Sequence, residues 1–419
     1  MKTRPNKLRF TVTVVALLLY SAFSYAQTGI NSPYSMYGIG TLSDRSNGMM
    51  RSMGGIGTGF RQRNIINLKN PASYSTVDTL TFLADAGFSL LNGNFEENGA
   101  RVNARNAAVD YLAMQFRVQP KIGMTLAFLP FSKVGYSFSS ESLVRRDSDG
   151  EIMSTGVTYG EGGLRQFMAG LGWRPAEWLS VGADVSYIKG DLTRQFSTSF
   201  SSGSVTSRTR TYTADFSSAM YDFGIQGTVK SGKDRLVIGA TYSPATDFNS
   251  DCTIADVHTT ADTVSVGDAF RLPDRLSVGL SYSSRNWTAG ADVSLEKWSD
   301  ARFFGESYGR DRFTVQAGLS LIPEPDSKKL FRRTSYQAGL KFSQPYYNIG
   351  DNPGPLEFGA TAGFSLPVTS AYNSMAYIHV SGQYSRVQPQ FDGSVCENYI
   401  GLSIGVTFME RWFMKWMVE

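Results

Sequence analysis

The chain has 419 residues, with 40 Lys plus Arg against 36 Asp plus Glu, 2 His and 2 Cys. Four of its cations, Lys2, Arg4, Lys7 and Arg9, precede the apolar run from Thr11 to Phe23, so the chain beyond Ala26 is balanced at 36 against 36. Nothing in that balance points to nucleic acid or to an electrostatic membrane patch. With a mean hydropathy of −0.19, it has no run beyond the first 26 residues long enough for a transmembrane helix, so a membrane-embedded form has to be a closed barrel.

Residues 1–26 read as a secretory signal peptide, with a basic start, a short apolar middle and Ser24-Tyr25-Ala26 at the cleavage position. Residues 27–78 show no alternation. They are rich in Gly, Met, Asn and Ser, too few and too polar to hold a core alone, yet they keep Ile56, Ile65, Ile66 and Leu68. This predicts a segment ordered by enclosure, a plug (hatch) inside the lumen; a disordered tail is the alternative.

From Thr79 to Phe408 the sequence alternates with period two, the signature of strands with one apolar face. The clearest case runs from Leu276 to Glu296. There Leu276, Val278, Leu280 and Tyr282 share a face, a turn follows at Ser284 to Asn286, and Trp287, Ala289, Ala291, Val293 and Leu295 share the next. The opposite face is mostly Ser, Gly and Thr, as expected of residues lining a crowded, wet lumen. Repeated along the chain, the pattern predicts an all-β fold, a transmembrane antiparallel β-barrel of about fourteen strands over 79–408.

The connections supply a second test. Short links at Gln119-Pro120, Pro175 to Trp178, Ser231 to Asp234, Ser284 to Asn286, Pro323 to Arg333 and Pro367 to Ser374 alternate with long ones. The long links are Ser140 to Glu161, Gly190 to Ser217, Pro244 to Asp274, Trp298 to Arg310, Gln344 to Leu356 and Val387 to Glu397. Outer-membrane barrels alternate short periplasmic turns with long external loops in this way, which puts the N-terminal segment and the C-terminus on the periplasmic side of a Gram-negative outer membrane. Inward positions carry Asp85, Asp184, Asp222 and Asp292 with Arg117, Arg174 and Lys341; these either form a polar network with the plug or are a solvated wall. Residues 409–419, with Trp412, Phe413 and Trp416, suit an interfacial aromatic tail or a strand extension. The strand ending at Phe408 suits recognition by the barrel-assembly machinery. Cys252 and Cys396 fall in expected external loops, either as a disulfide or as two free thiols.

Little here suggests chemistry. His258 and His379 stand alone, without metal-ligand spacing, and no cofactor is implied. Gly401-Leu402-Ser403-Ile404-Gly405 matches G-x-S-x-G, but within a strand instead of a strand-to-helix elbow. Counting across the last hairpin sets Ser403 opposite His379, which keeps a lipid hydrolase as a minor alternative.

The order of signal, Gly-rich segment, Asn70-Pro71-Ala72-Ser73 before the first strand, and fourteen strands resembles the FadL/TodX family of outer-membrane hydrophobic-compound transporters. Leu272-Pro273 and the run from Asp292 to Trp298 add to the likeness. The resemblance implies a hatch carrying the Asn70, Pro71, Ala72 motif, an apolar pocket below the external loops, and sideways release into the bilayer through a gap at a kink in the third strand. Pro130 and Gly135 lie in that strand here; a proline removes a ladder hydrogen bond and a glycine weakens the strand. A bulge or an early strand end is the other reading. The implied function is passive uptake of small hydrophobic molecules such as long-chain fatty acids, with lipid as the surrounding partner. The Met- and Tyr-rich hatch and the extra tail leave room for relatives that act as carrier or docking subunits of a protein-secretion system, with a secreted protein as partner.

Overall fold

The computed structural model describes residues 29–411, apart from 80, 98, 148–149, 202–205, 258–260, 267–269, 302–308 and 370–374. The expected signal peptide, His258 and residues 412–419 of the aromatic tail lie outside these residues, whereas residues 409–411 continue the last strand past its expected end at Phe408. Fourteen antiparallel wall strands close on themselves. They are β1 (Thr81–Glu97), β2 (Ala100–Gln119), β3 (Ile122–Pro130 continued by Ser132–Asp147), β4 (Gly150–Trp173), β5 (Leu179–Phe200), β6 (Arg208–Ser231) and β7 (Asp234–Ser243). There follow β8 (Arg275–Ser283), β9 (Trp287–Glu296), β10 (Arg312–Leu321), β11 (Ser335–Ser343), β12 (Leu356–Thr369), β13 (Met375–Gln388) and β14 (Cys396–Arg411). Each strand pairs with the next, and β1 pairs with β14 from Thr81↔Arg411 to Glu96↔Cys396, which leaves no wall edge at the seam.

The alternation sorts as its chemistry requires. Leu276, Val278, Leu280, Leu295 and Leu319 are exposed on the outer face, together with Phe88, Phe167, Trp173 and Phe358, an apolar belt of the kind that faces lipid. Inward positions such as Ser277, Ser281, Gln316, Ser320 and Gln337 are buried.

Two expected loops are corrected. Ser140 to Glu161 and Gly190 to Ser217 are for the most part continuations of β3, β4, β5 and β6, which makes β4 and β6 each 24 residues long. Asn249–Val257 adds to the same sheet against β6, and Ala261–Val266 pairs with it. These stretches lack the apolar outer face because they stand clear of the apolar belt, and without it they read as loops. The two cysteines do not form a disulfide: Cys252 is buried in an apolar cluster and Cys396 starts β14.

Candidate functional site: a break in the wall and the segment beside it

Between β2 and β3 the ladder is incomplete. Leu112↔Phe128 is its last pair towards the long-loop end; beyond it the edge of Ala100–Asp110 has no wall partner among the described residues. Two local causes coincide there. Pro130 has no N–H to donate, and on β2 the register against β1 slips between Gly87↔Tyr111 and Phe88↔Val109, a β-bulge that turns Asp110 out of the ladder. After Pro130 the third strand continues along β4 alone. On β4 the change of course is taken up by Gly162 and Gly163, at φ 119° and 141°, values that L side chains rarely adopt.

The freed edge of β3 is paired by the N-terminal segment. Thr41 and Leu42 pair with Lys133 and Ser132, Ser43 N donates to Phe131 O at 3.0 Å and Ser32 N to Gly135 O at 2.8 Å, and Gly135 N donates to Ser35 Oγ at 3.1 Å. Gly135 therefore serves as a partner of this segment, five residues beyond the break. Asn31 Nδ2 donates to Asn106 Oδ1 of β2 at 3.1 Å, so the segment touches both sides of the opening. Asp110 accepts from Arg51 and from Ser89, the latter at 2.9 Å, with Lys133 at 4.0 Å.

The rest of residues 29–77 meets inward-facing groups around the barrel. Asn70 caps the 3-10 turn Pro71–Thr76 by accepting from Ala72 N at 3.0 Å, while its Nδ2 donates to Thr58 O at 2.8 Å and Ile225 O at 3.3 Å. Pro71 and Ala72 are buried against the inner wall, where a side chain on Gly182 would collide with their backbone. Asp292 accepts from Gly57 N at 2.5 Å, Thr58 N at 2.7 Å and Gly59 N at 3.4 Å. Asp222 is held by Arg45 at 2.6 Å, Arg275 at 2.7 Å and the Ser243 hydroxyl. Tyr74 Oη donates to Asp184 at 3.1 Å; Asn47 and Tyr111 donate to Asp85 at 2.9 and 3.1 Å.

Of the seven inward charges, Asp222 is ion-paired to this segment, and Asp85, Asp184 and Asp292 accept hydrogen bonds from it. Lys341 pairs with Glu357 at 2.9 Å, Arg117 donates to Thr79, and the Arg174 guanidinium sits at the short-turn end. Arg45, Arg51 and the pair Asp44–Lys69 at 2.7 Å were invisible to a reading of alternation, since they lie in the one stretch without a period; the bulge likewise hid Asp110 by breaking the parity.

Towards the long-loop end the lumen is closed by packed apolar side chains. Tyr34, Ile39, Val134, Phe216, Phe248, Phe270, Trp298 and Tyr346 belong to one buried cluster. Beside the break, among Leu42, Pro130, Phe131, Leu272 and Trp298, a cavity of about 60 Å³ remains, with Arg45, Arg275, Glu296 and Arg312 also on its wall. An apolar cavity of roughly 150 Å³ holds a benzene, so this one is too small for a monoaromatic unless neighbouring groups move.

The expected facing of Ser403 and His379 is corrected. Ser403 pairs with Ser381, and His379 with Gly405. The hairpin register differs by two residues from simple counting. His379 Nδ1 meets Ser365 Oγ at 2.6 Å and Nε2 meets Thr407 Oγ1 at 3.0 Å, while Ser403 accepts from Arg51 at 3.3 Å. Both ring nitrogens are engaged by neighbours in the wall, which leaves none for activating Ser403.

Comparison with known proteins places this architecture. The BamG family model matches residues 9–418. The chain belongs to the BamG family. A search of curated proteins finds no match. Among solved structures, this BamG-family chain is similar to the Ralstonia pickettii toluene transporter TbuX, at a TM-score of 0.59 and 15% identity over 87% of this chain and 98% of that one. It is also similar to the Pseudomonas putida toluene transporter TodX (0.57, 14%, 88% and 98%) and to a Pseudomonas aeruginosa FadL homologue (0.56, 12%, 89% and 99%). At these identities the likeness is one of fold: the BamG-family chain has the FadL/TodX barrel.

Proposed function

We propose that this protein is an outer-membrane barrel that passes small hydrophobic molecules sideways between its lumen and the bilayer, with residues 27–78 as the hatch and Pro130 at the opening. The observation that carries the reading is the interrupted ladder between Ala100–Asp110 and Ser132–Asp147, paired by hatch residues on one side only. An apolar solute gains about 0.8 kcal/mol per CH₂ by staying out of water, so a lateral route through the wall suits it better than an aqueous pore. Solved proteins of this fold are named as toluene transporters and a monoaromatic hydrocarbon channel, which supports a hydrophobic substrate. The 60 Å³ cavity implies that the hatch has to shift before a fatty acid or an aromatic solute can enter. Secretion signal and fold together support the outer membrane as its place.

The test is uptake of labelled toluene and of a labelled long-chain fatty acid by cells lacking the gene, complemented with the intact gene or with Pro130→Val. Transport requires uptake to fall in the deletion, to return with the intact gene, and to stay low with Pro130→Val.

A second reading is favoured by two observations, the BamG family match and the packed apolar cluster below the long loops. In that reading the barrel is a docking subunit in the assembly or export of other outer-membrane proteins. It expects unchanged uptake in the deletion, with loss of other barrel or surface proteins from the outer membrane.

A further inference from the structure

The short-turn end of the lumen has a marked imbalance of charge. Arg117 on β2, Arg174 directly after β4 and Arg235 on β7 all occupy inward positions near the turns, and Arg61 and Arg63 of the N-terminal segment join them. Arg61 is 6% exposed, and it donates to neutral acceptors, Ser75 Oγ at 3.1 Å and Gln226 Oε1 at 3.4 Å. Arg117 Nε and Arg235 Nε are buried donors without an acceptor. Among the described residues, the ion pair within this arc is Arg63–Asp78 at 3.3 Å, on side chains that are 69% and 52% exposed. Glu177 projects from the turn after Arg174 and is exposed.

Three other cations of the N-terminal segment that face the lumen have carboxylates: Arg45 has Asp222, Arg51 has Asp110, Lys69 has Asp44. Arg61 differs from these. Burial, and then the neighbouring Arg174 and Arg235, pull its pKa down to about 10. A desolvated cation beside two others is costly unless an anion is present. Guanidinium groups offer forked donors that fit an oxyanion bidentately, and several near one another suit a group with at least three acceptor oxygens.

We propose that Arg61, Arg117, Arg174 and Arg235 form a binding site for a phosphate group at the short-turn mouth of the barrel. The phosphate comes either from a free ion in the surrounding water or from a phospholipid headgroup at the rim. Its role is to supply the counter-charge that the wall lacks there and to tie the N-terminal segment to β2, β4 and β7.

The experiment uses the full chain, purified in a non-ionic detergent and also reconstituted in nanodiscs of zwitterionic lipid with or without phosphatidylglycerol. The unfolding temperature is followed against inorganic phosphate at fixed ionic strength for wild type, Arg174→Gln and Arg285→Gln. Arg174 is the informative site because its side chain has no partner among the described residues, so its loss leaves the unliganded fold intact; Arg285 is paired with Asp326 on another turn and is the control. Saturable stabilisation by phosphate that Arg174→Gln weakens roughly tenfold or more, and Arg285→Gln does not, supports a free phosphate. Stabilisation by phosphatidylglycerol alone, again lost only in Arg174→Gln, supports a headgroup. Stabilisation by neither, or an equal response of the two variants, overturns the proposal.

Discussion

The Asp222 cluster offers a quantitative test of how the N-terminal segment is held. Its carboxylate lies between Arg45 of that segment and Arg275 of β8, with side-chain exposures of 7% for Arg45, 25% for Arg275 and 2% for Asp222 itself. Asp222→Asn keeps the shape and removes the charge, which leaves two cations side by side, one of them fully enclosed. Breaking a buried pair in this way costs about 3–5 kcal/mol. Arg45→Met is milder, because Asp222 keeps Arg275 and the Ser243 hydroxyl; the loss is that of a charge-assisted hydrogen bond, about 1.5–3 kcal/mol. At about 1.4 kcal/mol per decade, amide exchange over residues 43–47 should quicken by roughly two to three and a half decades in Asp222→Asn and by one to two decades in Arg45→Met. Hydrogen exchange with peptide mass spectrometry on the reconstituted protein reads both, since local opening is what it measures. Should Arg45→Met open the segment as much as Asp222→Asn, or should neither change it, the ion pairs are incidental and packing alone retains the segment.

Further outcomes follow from the same geometry. Gly239→Val places a side chain where Thr58 O and Asn70 Nδ2 now lie, so the N-terminal segment should lose its seat, seen as protease cleavage within residues 56–72 of a barrel that still folds. Asn31→Cys with Asn106→Cys should cross-link under mild oxidation, because the two side chains already meet at 3.1 Å; the bridged form should take up no labelled solute and regain uptake on reduction. Asp44 would be pushed up by burial, but Lys69 and Lys341 outweigh that and hold it down to about 2. Its pairing therefore contributes fully above the ordinary carboxylate value near 4 and is lost as pH falls through about 2. Exchange around Asp44 should accelerate over that window in wild type, and a Lys69→Met variant should lack the transition.

The wall was legible because lipid enforces a period: each strand that crosses the apolar belt must turn one face out, and Leu276 to Leu295 do so without a break. The upper parts of β4, β5 and β6 were not legible, since runs such as Thr193 to Phe200 and Arg208 to Phe216 carry Thr, Gln, Ser and Asp on the outward face and mix Arg194, Arg208 and Arg210 with apolar residues on the other, which hides the alternation. Pro130 was readable because proline's missing donor acts wherever it stands in a sheet. Its counterpart, the slip that frees Asp110, has no proline or glycine of its own on β2 and shows only in the pairing. The lumen acids could be placed by parity, yet their partners could not, because Arg45, Asn47, Tyr74 and the Gly57–Gly59 amides belong to a segment whose conformation is set by the cavity around it. Ser403 and His379 show the limit of counting: a hairpin's register depends on its loop, and two residues in Val387 to Glu397 decided the neighbour.

The length of β4, β5 and β6 bears on what can reach the break. At about 3.3 Å per residue and a tilt near 40°, a strand of 24 residues rises roughly 60 Å, against an apolar belt of about 25 Å. The outer part of β3 is the first stave of this parapet, so the opening lies at the foot of a screen that stands on one flank. A second membrane protein gliding up to the opening therefore has to come along β1 and β2. The alternation of short and long links predicts that this end faces outside the cell, so an epitope inserted between Phe200 and Arg208 should be displayed to antibody on intact cells without touching the break.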